Sequence, residues 1–303
     1  MSNKSKIKFL NNHVTGKSIS GDYDVKNLYR KFPTQIKLSK EEIKKGNELL
    51  NSIGIKKKKI VLLIIRDPKY FKIHYGLNSK SKSHHDHRND KIDNYRSAVL
   101  RLLKKDYFVI RMGNIAEDKL NINHKHFLDY PFSKIKSDFL DIFLAYKSYF
   151  CISNLTGYDG LITMFRKPLL SIGSMPIGCM YSSSENYFNT IYPHYSKKLK
   201  RNLTIEEIFN LNLAFEFKKE NFDKNKITIK KHSPNEILHI VLEMTKYVEN
   251  KSKFKNFYLN NKAIKIYNKI LRKHEKKNKI VYNGKLYFCF SNFFLKKYKN
   301  LFY

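Results

Sequence analysis

The chain has 303 residues, of which 42% are hydrophobic and 14% aromatic, enough to build a packed core rather than a disordered chain. Its net charge is +34, with 60 Lys and Arg against 26 Asp and Glu. The three cysteines, Cys151, Cys179 and Cys289, have neither zinc spacing nor a paired count. They argue against a disulfide framework and make a reducing cytoplasm the expected setting.

In chain order, residues 1–38 are polar and without period, and "MSNKSKIKFLNN" has no apolar signal region. Residues 38–55 read as a helix capped by Ser39, with Glu41 and Glu42 in its first turn and Gly54 at its end. Residues 58–67 form a continuous aliphatic run, the mark of a buried parallel strand, and Pro68 breaks it. That run is too short for the ~20 residues of a membrane helix. A long polar loop covers 68–92. A helix follows over 93–106 with Asp93 as its cap, then a strand over 107–113 and a long connection over 114–137. The spacing predicts a helix at 137–146, a strand at 149–154, a helix at 156–167 and a strand at 168–173. Further helices are expected at 203–211 and 233–250, and in part of 253–303.

Strand and helix thus alternate from 58 to 173. This predicts an α/β fold with a doubly wound, mostly parallel Rossmann-like sheet. The expected domains are an N-terminal segment at 1–57, the sheet domain at 58–215, and a helical Lys- and aromatic-rich region at 216–303.

Ligands of such sheets bind beyond the carboxyl ends of the strands. Those ends carry Arg66-Asp67, Arg111-Met112-Gly113, Ser153-Asn154 with Thr156-Gly157 at the next helix start, and Ser171-Ile172-Gly173. Each has a bland explanation: a salt bridge closing a strand for Arg66-Asp67, ordinary strand-exit chemistry for Arg111, a plain helix cap for Thr156. Together they suit a diphosphate, gripped by arginines and free helical N–H groups. Arginine is scarce, nine of the 60 basic residues, and five of the nine fall between Arg66 and Arg111. A chain that uses lysine for bulk charge keeps arginine for geometry.

The stretch "HHDHRNDKIDNY" at 84–95 lies inside that window. Contiguous loop residues seldom converge on one metal, and no metal is expected. A solvated loop and a phosphate-gripping loop both fit. The second places Arg88 on the phosphates and Asp67, His85, His87 or Asp90 as proton acceptor, with Asp93 and Asn94 capping the next helix. No GxGxxG follows a strand, and GxxxxGK[ST] and GxSxG are absent, which removes the usual dinucleotide sites, P-loop enzymes and α/β-hydrolases.

Three segments carry a resemblance. "LLIIRDPKY", "HRNDKIDNYRSAVLRLLKKDYFVIRMGN" and "SDFLDIFLAYKSYFCISNLTGYDGLITMFRKPLLSI" are similar to a bacterial family of glycosyltransferases of surface-carbohydrate gene clusters. The matching positions are Arg66, Asp67 and Tyr70; His85, Arg88, Asn89, Ile92 and Tyr95; Arg111, Met112 and Gly113; and Ser137, Asp138 and Asp141. The family's serine-rich turn is here Asn154-Leu155-Thr156-Gly157, which keeps the glycine and loses the serines. The likeness spans roughly residues 36–213.

It implies the nucleotide-sugar half of a GT-B architecture, with a reduced acceptor side and Arg66 or Arg88 against the diphosphate. No cofactor is expected beyond the nucleotide-sugar co-substrate. The implied partners are a nucleotide-sugar donor and a glycan or lipid-linked acceptor. A cytoplasmic setting follows, with docking on the acidic inner face of the membrane as a further expectation for the Lys-rich tail. A non-catalytic nucleotide- or glycan-binding module is the alternative. Nucleic acid is the weakest reading, because the lysines are spread along the chain as an AT-rich genome would spread them and no nucleic-acid motif is present.

Overall fold

The computed structural model describes residues 24–56, 58–74, 86–250, 262–279 and 284–302. In chain order its strands are β1 (Ile60–Ile64), β2 (Phe108–Arg111), β3 (Phe127–Asp129), β4 (Phe150–Ser153), β5 (Leu169–Ser174), β6 (Ser183–Ile191), β7 (His194–Ser196), β8 (Arg201–Asn202), β9 (Ile227–Ile229) and β10 (Tyr287–Phe290). The helices are α1 (Leu28–Lys31), α2 (Lys40–Ser52), α3 (Pro68–His74), α4 (Arg96–Lys104), α5 (Asp138–Lys147), α6 (Asp159–Met164), α7 (Ile205–Asn210), α8 (Lys219–Lys224), α9 (Pro234–Glu249), α10 (Lys262–Asn278) and α11 (Asn292–Lys297).

The main sheet has seven strands in the order β10-β6-β5-β4-β1-β2-β3. Every pairing in it is parallel. Read from β3 to β6 this is the doubly wound order 3-2-1-4-5-6, so the expected α/β Rossmann-like fold is the observed one. The strand order reverses between β1 and β4, where Val61 pairs with Phe150 and Ile64 with Ser153.

β1 shows why a continuous aliphatic run becomes a central strand. Side chains alternate faces with a period of two. Ile60 and Leu62 enter one core, with Phe143 and Leu144 of α5. Val61 and Leu63 enter the other, with Val99 and Leu102 of α4 and Ile240 and Met244 of α9. Both faces are dry, so an alternating polar pattern would have no place here.

The helix starts follow their caps. Ser39, Thr204 and Ser233 each form a capping box with a glutamate three residues on, and Pro234 takes the first helical position of α9. Ser137 caps α5 by accepting from the Leu140 N–H.

Several expectations change. Pro68 opens the short helix α3 instead of leading into a bare loop. Asp93 is not the cap of α4: a 3-10 turn at Ile92–Tyr95 comes first, α4 starts at Arg96, and the Asp93 carboxylate accepts from Arg96 Nε at 2.7 Å. The connection over 114–137 contains β3. The helix expected at 156–167 runs only from Asp159 to Met164. Past residue 173 the sheet continues into β6, and the region after 216 adds β10 to that same sheet beside its helices. A three-stranded antiparallel sheet, β8-β7-β9, follows β6 and delivers the chain back toward the carboxyl edge. No described helix is long and apolar enough to cross a membrane.

Candidate functional site

Beyond the carboxyl ends of β1, β2 and β4 lies a cleft of about 420 Å³. Arg66, Asp67, Arg111, Gly113, Thr156 and Gly157 line it, together with Tyr70 of α3 and Asp141 of α5. This is the topological switch point, where neighbouring crossovers leave the sheet in opposite directions and open a crevice.

Asn154, just past β4, fastens the crevice. Its side chain accepts from the Arg66 N–H at 2.8 Å and donates to the Arg88 carbonyl at 3.1 Å. The turn carrying residues 86–88 is thereby tied to the ends of β1 and β4. Arg88 also donates to the Leu155 carbonyl at 3.3 Å and lies over the Phe217 ring. Its Nε is buried with no hydrogen-bond partner among the described residues.

A third cation arrives from the small sheet. Lys231 lies two residues past β9, donates to the His87 carbonyl at 2.6 Å and sits 4.2 Å over the Tyr192 ring. Burial pulls its ammonium down to about 8, with Asp90 opposing and Arg88 and Arg66 adding to the fall. Burial, then the field of Arg66, draws the Arg88 guanidinium down to about 10. Burial also lowers Arg66, which Asp159 supports. Three half-buried cations therefore lie close enough for the field of Arg66 to reach Arg88 and for both to reach Lys231, and Arg66 lines the cleft. Such an arrangement costs stability unless an anion joins it.

The nearby carboxylates oppose this only in part: Asp159 supports Arg66 and Arg88, and Asp90 supports Lys231, yet each cation stays below its ordinary value. Asp159 is fully buried, and burial pushes its carboxyl up to about 6 against the pull of Ser153, Thr156 and Arg66. It is committed to its own turn, accepting from the Thr156 N–H at 3.1 Å and the Thr156 hydroxyl at 3.0 Å. The Thr156 N–H expected to face a phosphate is therefore held by Asp159.

Asp90 is equally committed. It accepts from the Tyr192 hydroxyl at 2.9 Å, the Tyr95 hydroxyl at 3.2 Å and the Asn94 amide at 2.9 Å. Tyr192 packs over Gly173, whose φ of +67° and whose missing Cβ, 2.1 Å from that ring if present, leave room for nothing larger. Gly173→Ala is expected to lower stability by roughly 2 kcal/mol or more, read from thermal melts. An unchanged melting temperature would show that Tyr192 can step aside without loss.

The remaining sequence-chosen residues fall as follows. Asp67 accepts from the Lys69 and Glu117 N–H groups and pairs with Arg111 at 3.7 Å. Arg111 is 3% exposed and turns toward Asp129 at 3.3 Å and the Asp118 carbonyl, so its charge is spent within the wall. Gly113 (φ +140°) makes the exit of β2. Ser153 is buried at the end of β4, and Gly157 has open space beside it. Asp138 is exposed at the start of α5, whereas Asp141 faces the cleft. His87 packs 5.2 Å from the Phe222 ring. His85 lies outside the described residues. Among the described residues, no group of three His, Cys, Asp or Glu side chains gathers as a metal site would.

Fold and site together define a parallel α/β protein with a crevice at its switch point lined by arginines and aspartates, and with Arg88 and Lys231 within electrostatic reach of Arg66. No family model matches the chain. No curated protein matches it. A solved structure that shares part of the path is E. coli ADP-heptose LPS heptosyltransferase II, with a TM-score of 0.33 and 11% identity over 45% of this chain. The match covers 38% of that enzyme. A likeness that slight bears on neither activity nor substrate, and the resemblance drawn from the motifs stands on the sequence alone.

Proposed function

We propose that this protein is a glycosyltransferase using a nucleoside-diphosphate sugar, and that the crevice above β1 and β4 holds the donor's diphosphate. The observation that carries the reading is the convergence of Arg66, Arg88 and Lys231, all partly desolvated, where a doubly wound sheet binds ligands. A diphosphate would relieve their mutual repulsion and fill the buried donor position at Arg88 Nε.

In the proposed reaction an acceptor hydroxyl attacks the anomeric carbon. The bond from that carbon to the diphosphate oxygen breaks, and its electron pair leaves with the nucleoside diphosphate. The three cations stabilise the charge growing on that oxygen, so the transfer is proposed to run without a divalent ion. The hydroxyl proton goes to a base. Asp67 and Asp90 have their oxygens filled by hydrogen bonds, and the proposed proton acceptor is His87, next to Arg88 on the same turn. The acceptor is proposed to be a surface-glycan or lipid-linked precursor, as the motif resemblance implies.

The commitment of Asp67 and Asp90 also favours a second reading, a nucleotide-binding module without transfer. A thermal-shift panel of UDP, GDP, CDP, ADP, dTDP and CMP, with and without EDTA, tests both. Stabilisation by a nucleoside diphosphate that EDTA leaves unchanged is expected, because binding to the folded state alone raises its melting temperature. Release of free sugar or transfer product from the matching nucleotide-sugar then separates enzyme from module. Silence toward every nucleotide would refute both.

A further inference from the structure

Resting on that reading, we infer that the cleft beside Arg66 is the slot for the donor's nucleobase, and that Asp141 selects bases that offer an amino group. The cleft has two unlike kinds of lining. Arg66 and Thr156 are polar, and Arg66 lies within reach of the Arg88 charge. The rest of the wall is mostly apolar, built from Ile64, Ile65, Met112, Ile115, Ala116 and Tyr158. A sugar ring carries hydroxyls around its whole edge and needs polar partners on every side, whereas the polar residues here, among them Tyr70, Asn114 and Asp141, are interleaved with apolar ones. A flat heterocycle needs apolar faces and a few polar contacts at its rim. The volume, about 420 Å³, lies within the ~300–1,000 Å³ of small-molecule sites.

Tyr70, Arg111 and Asn114 also line the cleft, and the carboxylate in its wall with an open oxygen is Asp141. Its Oδ1 is buried and has no hydrogen-bond partner among the described residues. The residue is fixed from behind: Tyr158 donates to its backbone carbonyl at 2.7 Å, and the Tyr130 hydroxyl engages its carboxyl and draws it down against burial, so the open acceptor is Oδ1. A second carboxylate in the wall, Asp67, has both oxygens occupied. A carboxylate oxygen accepts only, so it favours a rim that donates. Guanine, adenine and cytosine each present an exocyclic amine. Uracil and thymine present one N–H between two carbonyls, and those carbonyls would meet the carboxylate with like partial charge.

The test is calorimetric titration of full-length protein with GDP, ADP, CDP, UDP, dTDP and inorganic pyrophosphate, wild type beside Asp141→Asn. The wild type is expected to bind the three amino-bearing diphosphates about tenfold or more tighter than UDP and dTDP, the value of one charge-assisted hydrogen bond. In Asp141→Asn the gap should close, because the amide can donate to a carbonyl, while pyrophosphate affinity stays within about twofold. Equal binding of all five nucleotides by the wild type, or a preference that survives in Asp141→Asn, would overturn the base slot and leave the diphosphate site standing. Failure of pyrophosphate and every nucleotide to bind would remove both. The wild-type ranking decides the matter alone should the variant not fold.

Discussion

Replacing Arg88 by alanine is expected to lower affinity for a nucleoside diphosphate about a hundredfold, with the apo melting temperature unchanged or raised. A guanidinium meeting phosphate makes charge-assisted bonds of roughly 1.5–3 kcal/mol each, and two such bonds span that loss. The stability side follows from the free protein. Burial and Arg66 draw Arg88 down to about 10, so its charge is held at a cost when no anion is present. Removing the side chain relieves that cost and gives up one hydrogen bond to Leu155 and the packing over Phe217. Arg88→Lys should recover only part of the affinity, since an ammonium lacks the planar fork. Titration with the best nucleotide of the panel, beside apo melts of each variant, measures both quantities. A variant that binds as the wild type does would place the diphosphate elsewhere. One that loses affinity and melts much earlier would make Arg88 a structural residue.

The sheet was readable because its central strands are buried on both faces, and continuous aliphatic runs such as Ile60–Ile64 have few other uses. β6 escaped because Ser183–Ile191 begins in polar residues and is only half covered there. β10 escaped because four residues, Tyr287–Phe290, sit in a Lys-rich region whose burial depends on distant elements. Arg66 and Arg88 stood out through arginine's scarcity in a lysine-rich chain. Lys231 could not stand out, being chemically one lysine among many. Its significance is tertiary, since only the return of β9 beneath Tyr192 removes it from water. The carboxylates fail as candidates for the same reason. Composition shows that Asp67 and Asp90 are near arginines, but not that neighbouring N–H and O–H groups already fill their oxygens. Asp141 was visible only through its place in a motif, with nothing in the sequence to show that one of its oxygens is buried.

Lys231 yields the second large effect, a pH dependence of opposite sign for stability and for binding. Its ammonium is drawn from 10.5 to about 8 in the folded protein, chiefly by burial. Below pH 8 the lysine is charged in both folded and unfolded chains, and the folded state carries the full penalty. Between about 8 and 10.5 the folded chain has released this proton while the unfolded chain keeps it. The unfolded state then binds more protons, so stability rises with pH across that window. The interval corresponds to about 3 kcal/mol. Tyrosines and other lysines titrate nearby, so the informative curve is the difference between wild type and Lys231→Met. The variant should be the more stable protein at pH 7, and its advantage should vanish by about pH 10.5.

Ligand binding runs the other way. A diphosphate needs the charged form, so wild-type affinity should fall by up to tenfold per pH unit above about 8. Near pH 8.5 binding should take up protons, seen as a calorimetric heat that depends on the buffer's ionisation enthalpy. Lys231→Met should bind more weakly at pH 7 and show neither the fall nor the uptake. If wild type and variant share one pH profile, Lys231 is a structural lysine anchored on His87 and Tyr192, and the anion site reduces to the two arginines. If they diverge as described, the lysine that destabilises the empty protein is the one that binds the donor, and an unfavourable charge in the apo state becomes the signature of the site.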